Sequence, residues 1–334
     1  MGNHDNLKLT APEISTLWAL YQSNSMAICG LKYFLVHVEH DEIRSILEHA
    51  LTLSEQQLEQ TTSFFIKEEY PIPQGFSEQD VNLNAPRLFS DKLYIEFVVN
   101  MTIINLASQV ASLTTSVRND LLTFYTESLS ASQELHIKTK ELSKEIGIHI
   151  RAPYLPIPNQ IDFVKKQSFT AGWLTDRRPL LGSEITNLVF NARRNSLGQA
   201  VITGFSQVAQ SKEVRKYFER GRDISKKHLE VFNSILSNSY LSDGTILLTP
   251  EVTESTVPPF SDRLMMFLTS SLIASGIGQY GTSMSLSPRH DIGLHYTRLM
   301  AEIANYANDG ANIMIDNGWM EQPPMAADRK GLAK

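Results

Sequence analysis

The chain has the side chains for acid, base and metal chemistry, with nine histidines, 36 acidic residues and one cysteine. Their spacing decides what they can do. A carboxylate-bridged pair of iron or manganese ions in a helical bundle needs Glu from two helices and Glu-x-x-His from two others. Three residues before the histidines stand Met1, Phe34, His37, Ile46, Gln133, Ile146, Ser225, Ser287 and Ile292, so Glu-x-x-His does not occur. The stretch between Glu13 and Glu39 holds no acid either, which removes a bridging carboxylate. No P-loop, G-x-S-x-G or Cys-x-x-Cys is present. Cys29 lies about 90° from the centre of its apolar stripe, with nothing beside it in sequence to activate a thiol. These patterns point away from an enzyme and call for no cofactor. One polar constellation remains: Asn195, Ser196, Gln199, Ser225, His228 and His295, all read as facing inward in the second half of the chain.

These residues must be positioned by a duplicated element. Phe89–Asp120 is written again at Phe260–Asp291, 171 residues later, with Phe89/Phe260, Ser90/Ser261, Asp91/Asp262, Ser112/Ser283, Ser116/Ser287, Arg118/Arg289 and Asp120/Asp291 matching without a gap. The offset also holds for Glu13/Glu184, Asn24/Asn195, Phe34/Phe205, Arg44/Arg215, Tyr125/Tyr296 and Gly147/Gly318. A period so far beyond that of solenoid repeats means one domain in tandem, each copy with its own core. The expected domains are 9–153 and 180–324, with a linker over 154–179 that carries a short helix at Ile161–Gln167.

Each copy reads as four helices. In the first these run from Pro12 to about Glu39, Asp41 to Glu69, Phe89 to Thr115 and Val117 to Ile146. The first two follow each other too closely for anything but an antiparallel hairpin. Ser116/Ser287 is a candidate N-cap for the fourth helix, and Gly147/Gly318 a C-terminal glycine. The proline-rich stretch 70–88 and its counterpart 241–259 are long connections. The expected fold is all-α: two tandem ferritin-like four-helix bundles, each with a long crossover between helices two and three. Helix four then starts at the same end as helix one. At 1.5 Å per residue, Asn195 and His228 fall at one level, and His295, about 10 Å along its helix, joins them. The expected pocket is Asn195, Ser196, Gln199, His228 and His295. A closed hydrogen-bond network is the plainer outcome there, and a small ligand or single metal the sharper one, although two imidazoles and an amide lack the acid a metal favours.

A net charge of −6 and a pI near 5.9 give no reason to expect nucleic acid. No apolar N-terminal run reads as a secretory signal, and Asn6 breaks the myristoylation pattern after Gly2, so the expected location is cytoplasmic. Phe97–Val117 and Leu264–Pro288 carry no charge and are long enough to span a bilayer. Their Ser, Thr, Asn and Gln content argues against a membrane span. These third helices are expected to be the most buried of each bundle, with at least one packed on the other copy or on a neighbouring molecule.

The ferritin-like layout, the tandem duplication and the repeated E-I/x-N-S and F-S-D-K/R-L signatures resemble an uncharacterised family of endospore-forming bacilli, a domain of unknown function. That family is similar in fold to ferritins and more loosely to coat-F-type spore coat proteins. The resemblance implies a spore-forming cell and no chemistry. The functional expectation is a non-catalytic structural or interaction protein that self-associates through helix three of each copy or binds spore or cell structural proteins. The alternative is a binder of a small ligand in the second bundle.

Overall fold

A computed structural model describes residues 7–173 and 177–333. Among these the chain is all-α, with α1 Ala11–His37, α2 Asp41–Lys67, α3 Asp91–Thr115, α4 Asn119–Glu145, α5 Gly182–Val208, α6 Lys212–Ser237, α7 Asp262–Ser285, α8 His290–Asp316 and the short α9 Arg329–Leu332. The eight long helices end within a few residues of the expected bounds. Gly147 and Gly318 take φ of +74° and +66° after α4 and α8, the left-handed conformation that a helix-ending glycine adopts freely. The helix expected at Ile161–Gln167 does not form; a single 3-10 turn at Gln167–Thr170 stands in its place. Ile157, Ile161 and Phe163 are exposed there, so no packing offsets the cost of nucleating so short a helix.

The chain divides into two compact units, one of Met1–Leu83, Val98–Leu142 and Gly318–Lys334, the other of Asn84–Phe97 and Ser143–Asn317. In the second unit, buried carboxylates fix the helix directions. Glu184 at the start of α5 accepts from the backbone N of Arg289 at the start of α8, so these two helices begin at the same end. Asp262 at the start of α7 accepts from the backbone N of Gln210 and Ser211, just ahead of α6. The connection from the end of α6 to the start of α7 therefore runs the length of the bundle. The first unit repeats the first of these contacts: Glu13 Oε1 accepts from the N of Val117 and Arg118 at 2.9 and 3.1 Å, while Oε2 closes a capping box on Thr10.

That arrangement corrects the expected N-cap. Ser116 and Ser287 donate backward to Ser112 O and Ser283 O, finishing α3 and α7. Glu13 and Glu184 reach across from another helix and take up amides at the starts of α4 and α8, which have no partner within their own helix.

The uncharged helices are mostly buried over their first halves and beyond them keep a narrow buried edge, Gln109 and Ser112 in α3 and Tyr280 and Ser283 in α7. In α3, Leu93–Asn100 is buried throughout, whereas Ala107, Ser108, Val110, Ala111 and Thr114 are exposed. In α7, Ala274, Gly278, Thr282, Met284 and Ser285 are exposed. Helix α3 is long and apolar enough to cross a membrane by length and composition, and 39% of its most apolar window is buried inside the protein. Within the second unit, Glu96 of α3 pairs with Arg193 of α5 at 2.6 and 2.9 Å.

Candidate functional site

In the second bundle the polar residues organise around Tyr280 of α7, which its sequence context does not set apart from its uncharged neighbours. Its ring is buried against Phe232 and Tyr296, with centroids 5.5 and 5.9 Å away. Its hydroxyl meets Asn195 Nδ2 at 2.8 Å and His228 Nδ1 at 3.0 Å. His228 is fully buried, and its Nε2 lies 3.1 Å from Glu302 Oε2. Lys227 Nζ holds the other Glu302 oxygen at 2.8 Å.

The donors follow from what each group can do. A carboxylate only accepts, so His228 Nε2 carries the proton, and Nδ1 of the neutral ring accepts from Tyr280. Tyr280 in turn accepts from Asn195. Burial pushes the His228 pKa down, against the pull of Glu302, in keeping with a neutral ring. Burial pushes the Tyr280 phenol up, so it remains a donor. The result is one continuous chain, Asn195 to Tyr280 to His228 to Glu302, running from the core to the surface with each link satisfied.

The five expected pocket residues are thus divided. Asn195 and His228 meet through Tyr280. Ser196 turns to the crossover, donating to Ile246 O at 2.6 Å. Gln199 is buried beside them in sequence, and its Oε1 has no hydrogen-bond partner. His295 makes no hydrogen bond to the others. The pairing of Glu184 with Arg289, and of Asn191 with Tyr296, sets α8 so that His295 lies near the level of Asn191. The residue of α8 that meets His228 is Glu302, seven residues and about 10 Å further on. His295 sits half-buried near Arg298 and Asp291, and burial pushes its pKa down.

The remaining candidates have structural partners. Cys29 is buried and donates to Ser77 O. Arg118 and Arg289 pair with Asp120 and Asp291 two residues on. Arg44 donates to Leu35 O and Val38 O, and Arg215 to Ala209 O, capping the ends of α1 and α5. Glu48 and Glu59 are exposed. A shallow cleft in the second unit is lined by Glu96, Arg193, Ile148 and Thr245. Its guanidinium is already engaged by Glu96 and by His149 Nδ1 at 3.2 Å. Among the described residues no group of three or more His, Cys, Asp and Glu side chains gathers as a metal site.

The model of a protein family of unknown function, DUF3231, matches this chain twice, over residues 1–161 and 168–332. The chain belongs to the DUF3231 family. Its two matches coincide with the 171-residue repeat, so this member carries two tandem copies of the DUF3231 unit. No curated protein matches it. Among solved structures, a "putative spore coat protein" from Bacillus halodurans C-125 is similar at 17% identity, covering 48% of this chain and 100% of its own, with a TM-score of 0.40. Glu13/Glu184 and Asp91/Asp262 are the acids of the repeated signatures in this DUF3231 chain. Glu13, Glu184 and Asp262 accept from backbone amides beside the starts of other helices, and Asp91 pairs with Arg87.

Proposed function

We propose that this DUF3231 protein is a non-catalytic structural protein of a spore-forming cell, cytoplasmic, ferritin-like in helix order, and assembling through the second halves of α3 and α7. One observation carries the reading. Each of these helices turns an uncharged strip to solvent, Ala107–Val110–Ala111–Thr114 in one and Ala274–Gly278–Thr282 in the other. Small and apolar side chains without charge suit close helix packing and cost little to desolvate. The polar interior adds support, because its imidazole, phenol and carboxylate are engaged with one another and leave no reactive group presented to a substrate.

The reading is tested by light scattering on the eluting full chain and on Val110→Glu and Ala274→Glu. The expected result is a multiple of 37.6 kDa for the unmodified chain and a shift toward that single mass in the variants. A single-chain mass for the unmodified protein at every concentration would remove the proposal.

A further inference from the structure

We infer an internal binding site in the core of the first bundle, for a small neutral guest that both donates and accepts hydrogen bonds. The inference rests on the positions that repeat the Asn195, His228 and Tyr280 cluster 171 residues earlier: Asn24, Gln57 and Gln109. All three are buried, at 3%, 2% and 1% exposure. Asn24 Nδ2 donates to Gln57 Oε1 at 3.3 Å, closing one side. On the other side the polar atoms are unpaired. Gln57 Nε2 and both amide atoms of Gln109 have no partner, and neither does Oγ of the equally buried Ser132.

Contacts within this bundle place Ser132 at the level of Gln109. Thr102 of α3 meets His136 of α4 at 2.9 Å, and Ser112 of α3 meets Tyr125 of α4. Gln109 and Ser132 both lie between those two levels. In the second bundle the corresponding atoms of His228 and Tyr280 are 3.0 Å apart, so Gln57 and Gln109 approach across the same core. There two aromatic rings complete the network. Here two amides stand in those positions and leave donors and acceptors unpaired.

An amide flip does not remove the problem. Gln109 lacks partners at both ends, so exchanging its O and N leaves both atoms unpaired. Each buried polar atom left unpaired is costly, and four in one region are more than a folded core ordinarily tolerates. The guest must accept from two amide N–H groups and donate to Gln109 Oε1, which one or two water molecules do, as does a small alcohol or amide. An ion does not suit the site, because the converging groups are uncharged and a buried charge without a counter-charge is far more expensive.

The test compares the full chain with Gln109→Leu, which keeps side-chain size and removes both unpaired atoms. If a guest is bound, the leucine strips it of partners and the melting temperature falls, by roughly 3–6 °C for a loss of this kind. If the amides are simply unsatisfied, the leucine relieves them, and an unchanged or raised melting temperature overturns the inference. A high-resolution crystal structure of the unmodified chain decides independently of whether the variant folds. Density within hydrogen-bond distance of Gln57 Nε2 and Gln109 supports the site, and the two amides bonded directly to each other refute it. Native mass spectrometry separates the sources: an added mass beyond 37.6 kDa marks an organic guest, and no added mass with density present marks water.

Discussion

Tyr217 and Tyr306 stack face to face with ring centroids 4.1 Å apart and planes 9° from parallel, and each hydroxyl donates to the other residue's backbone carbonyl, at 3.2 and 3.0 Å. The arrangement exists because a glycine faces each hydroxyl. A Cβ at Gly221 would stand 2.1 Å from Tyr306 Oη, and one at Gly310 would stand 2.3 Å from Tyr217 Oη. Alanine in place of a helical glycine ordinarily stabilises by about 1 kcal/mol. Here the sign reverses: Gly221→Ala or Gly310→Ala is expected to cost about 2 kcal/mol through overpacking and two displaced hydrogen bonds, read as a lower urea midpoint. A midpoint at or above that of the unmodified chain would mean the tyrosines are not locked as described.

Glu13 and Glu184 give a second prediction. Burial acts to raise their pKa values, but the donors outweigh it, Thr10, Val117 and Arg118 around Glu13 and Arg178, Leu181 and Arg289 around Glu184, and both carboxyls end below the usual range. A folded pKa below the unfolded value means stability that is complete above about pH 4.3 and lost as pH falls through the folded pKa. Glu13→Gln is expected to cost about 2 kcal/mol at pH 7 and to flatten the acid side of the stability profile. An acid limb that stays as steep as in the parent chain would contradict the capping role.

His228 acts in the opposite pH range. Burial, the largest influence on it and opposed by Glu302, lowers its pKa, and Lys227 and Arg298 push in the same direction as burial. The unfolded chain therefore takes up a proton that the folded state refuses, so stability is complete above about pH 6.5 and falls as pH drops below it. His228→Gln, which installs the residue found at Gln57, is expected to shrink the loss between pH 7.5 and 5.5. The effect is limited to about 1.4 kcal/mol per pH unit, and His295, also depressed by burial, contributes what remains. Equal losses in variant and parent, followed by chemical denaturation, would remove His228 as the source.

Much of this architecture is legible in the sequence because it is written twice. The 171-residue offset pairs Gly147 with Gly318 and Glu13 with Glu184, and helical periodicity places all eight long helices. The rest depends on contacts between helices. Glu13 looks like an ordinary first-turn acid, and only the packed bundle shows it reaching Val117 and Arg118. Tyr280 reads as one more apolar residue of an uncharged helix. Its importance was hinted at by its replacement: the first copy has Gln109 and Ala131 where the second has Tyr280 and Glu302, two changes that arrive together with Gln57 becoming His228. Helix starts read from sequence put His295 level with His228, but α8 is set by contacts between helices, and the seven residues between His295 and Glu302 carry a side chain two turns away.

Assembly requires that the uncharged strips of α3 and α7 be covered in solution by another copy of the chain. Amide hydrogen exchange at Ala107–Thr114 and Ala274–Thr282, measured at low and high protein concentration, addresses this directly. Slower exchange in these two segments at the higher concentration, with α2 and α6 unchanged, is the predicted result. Rates in both segments that do not depend on concentration, together with a single-chain mass throughout, would contradict it.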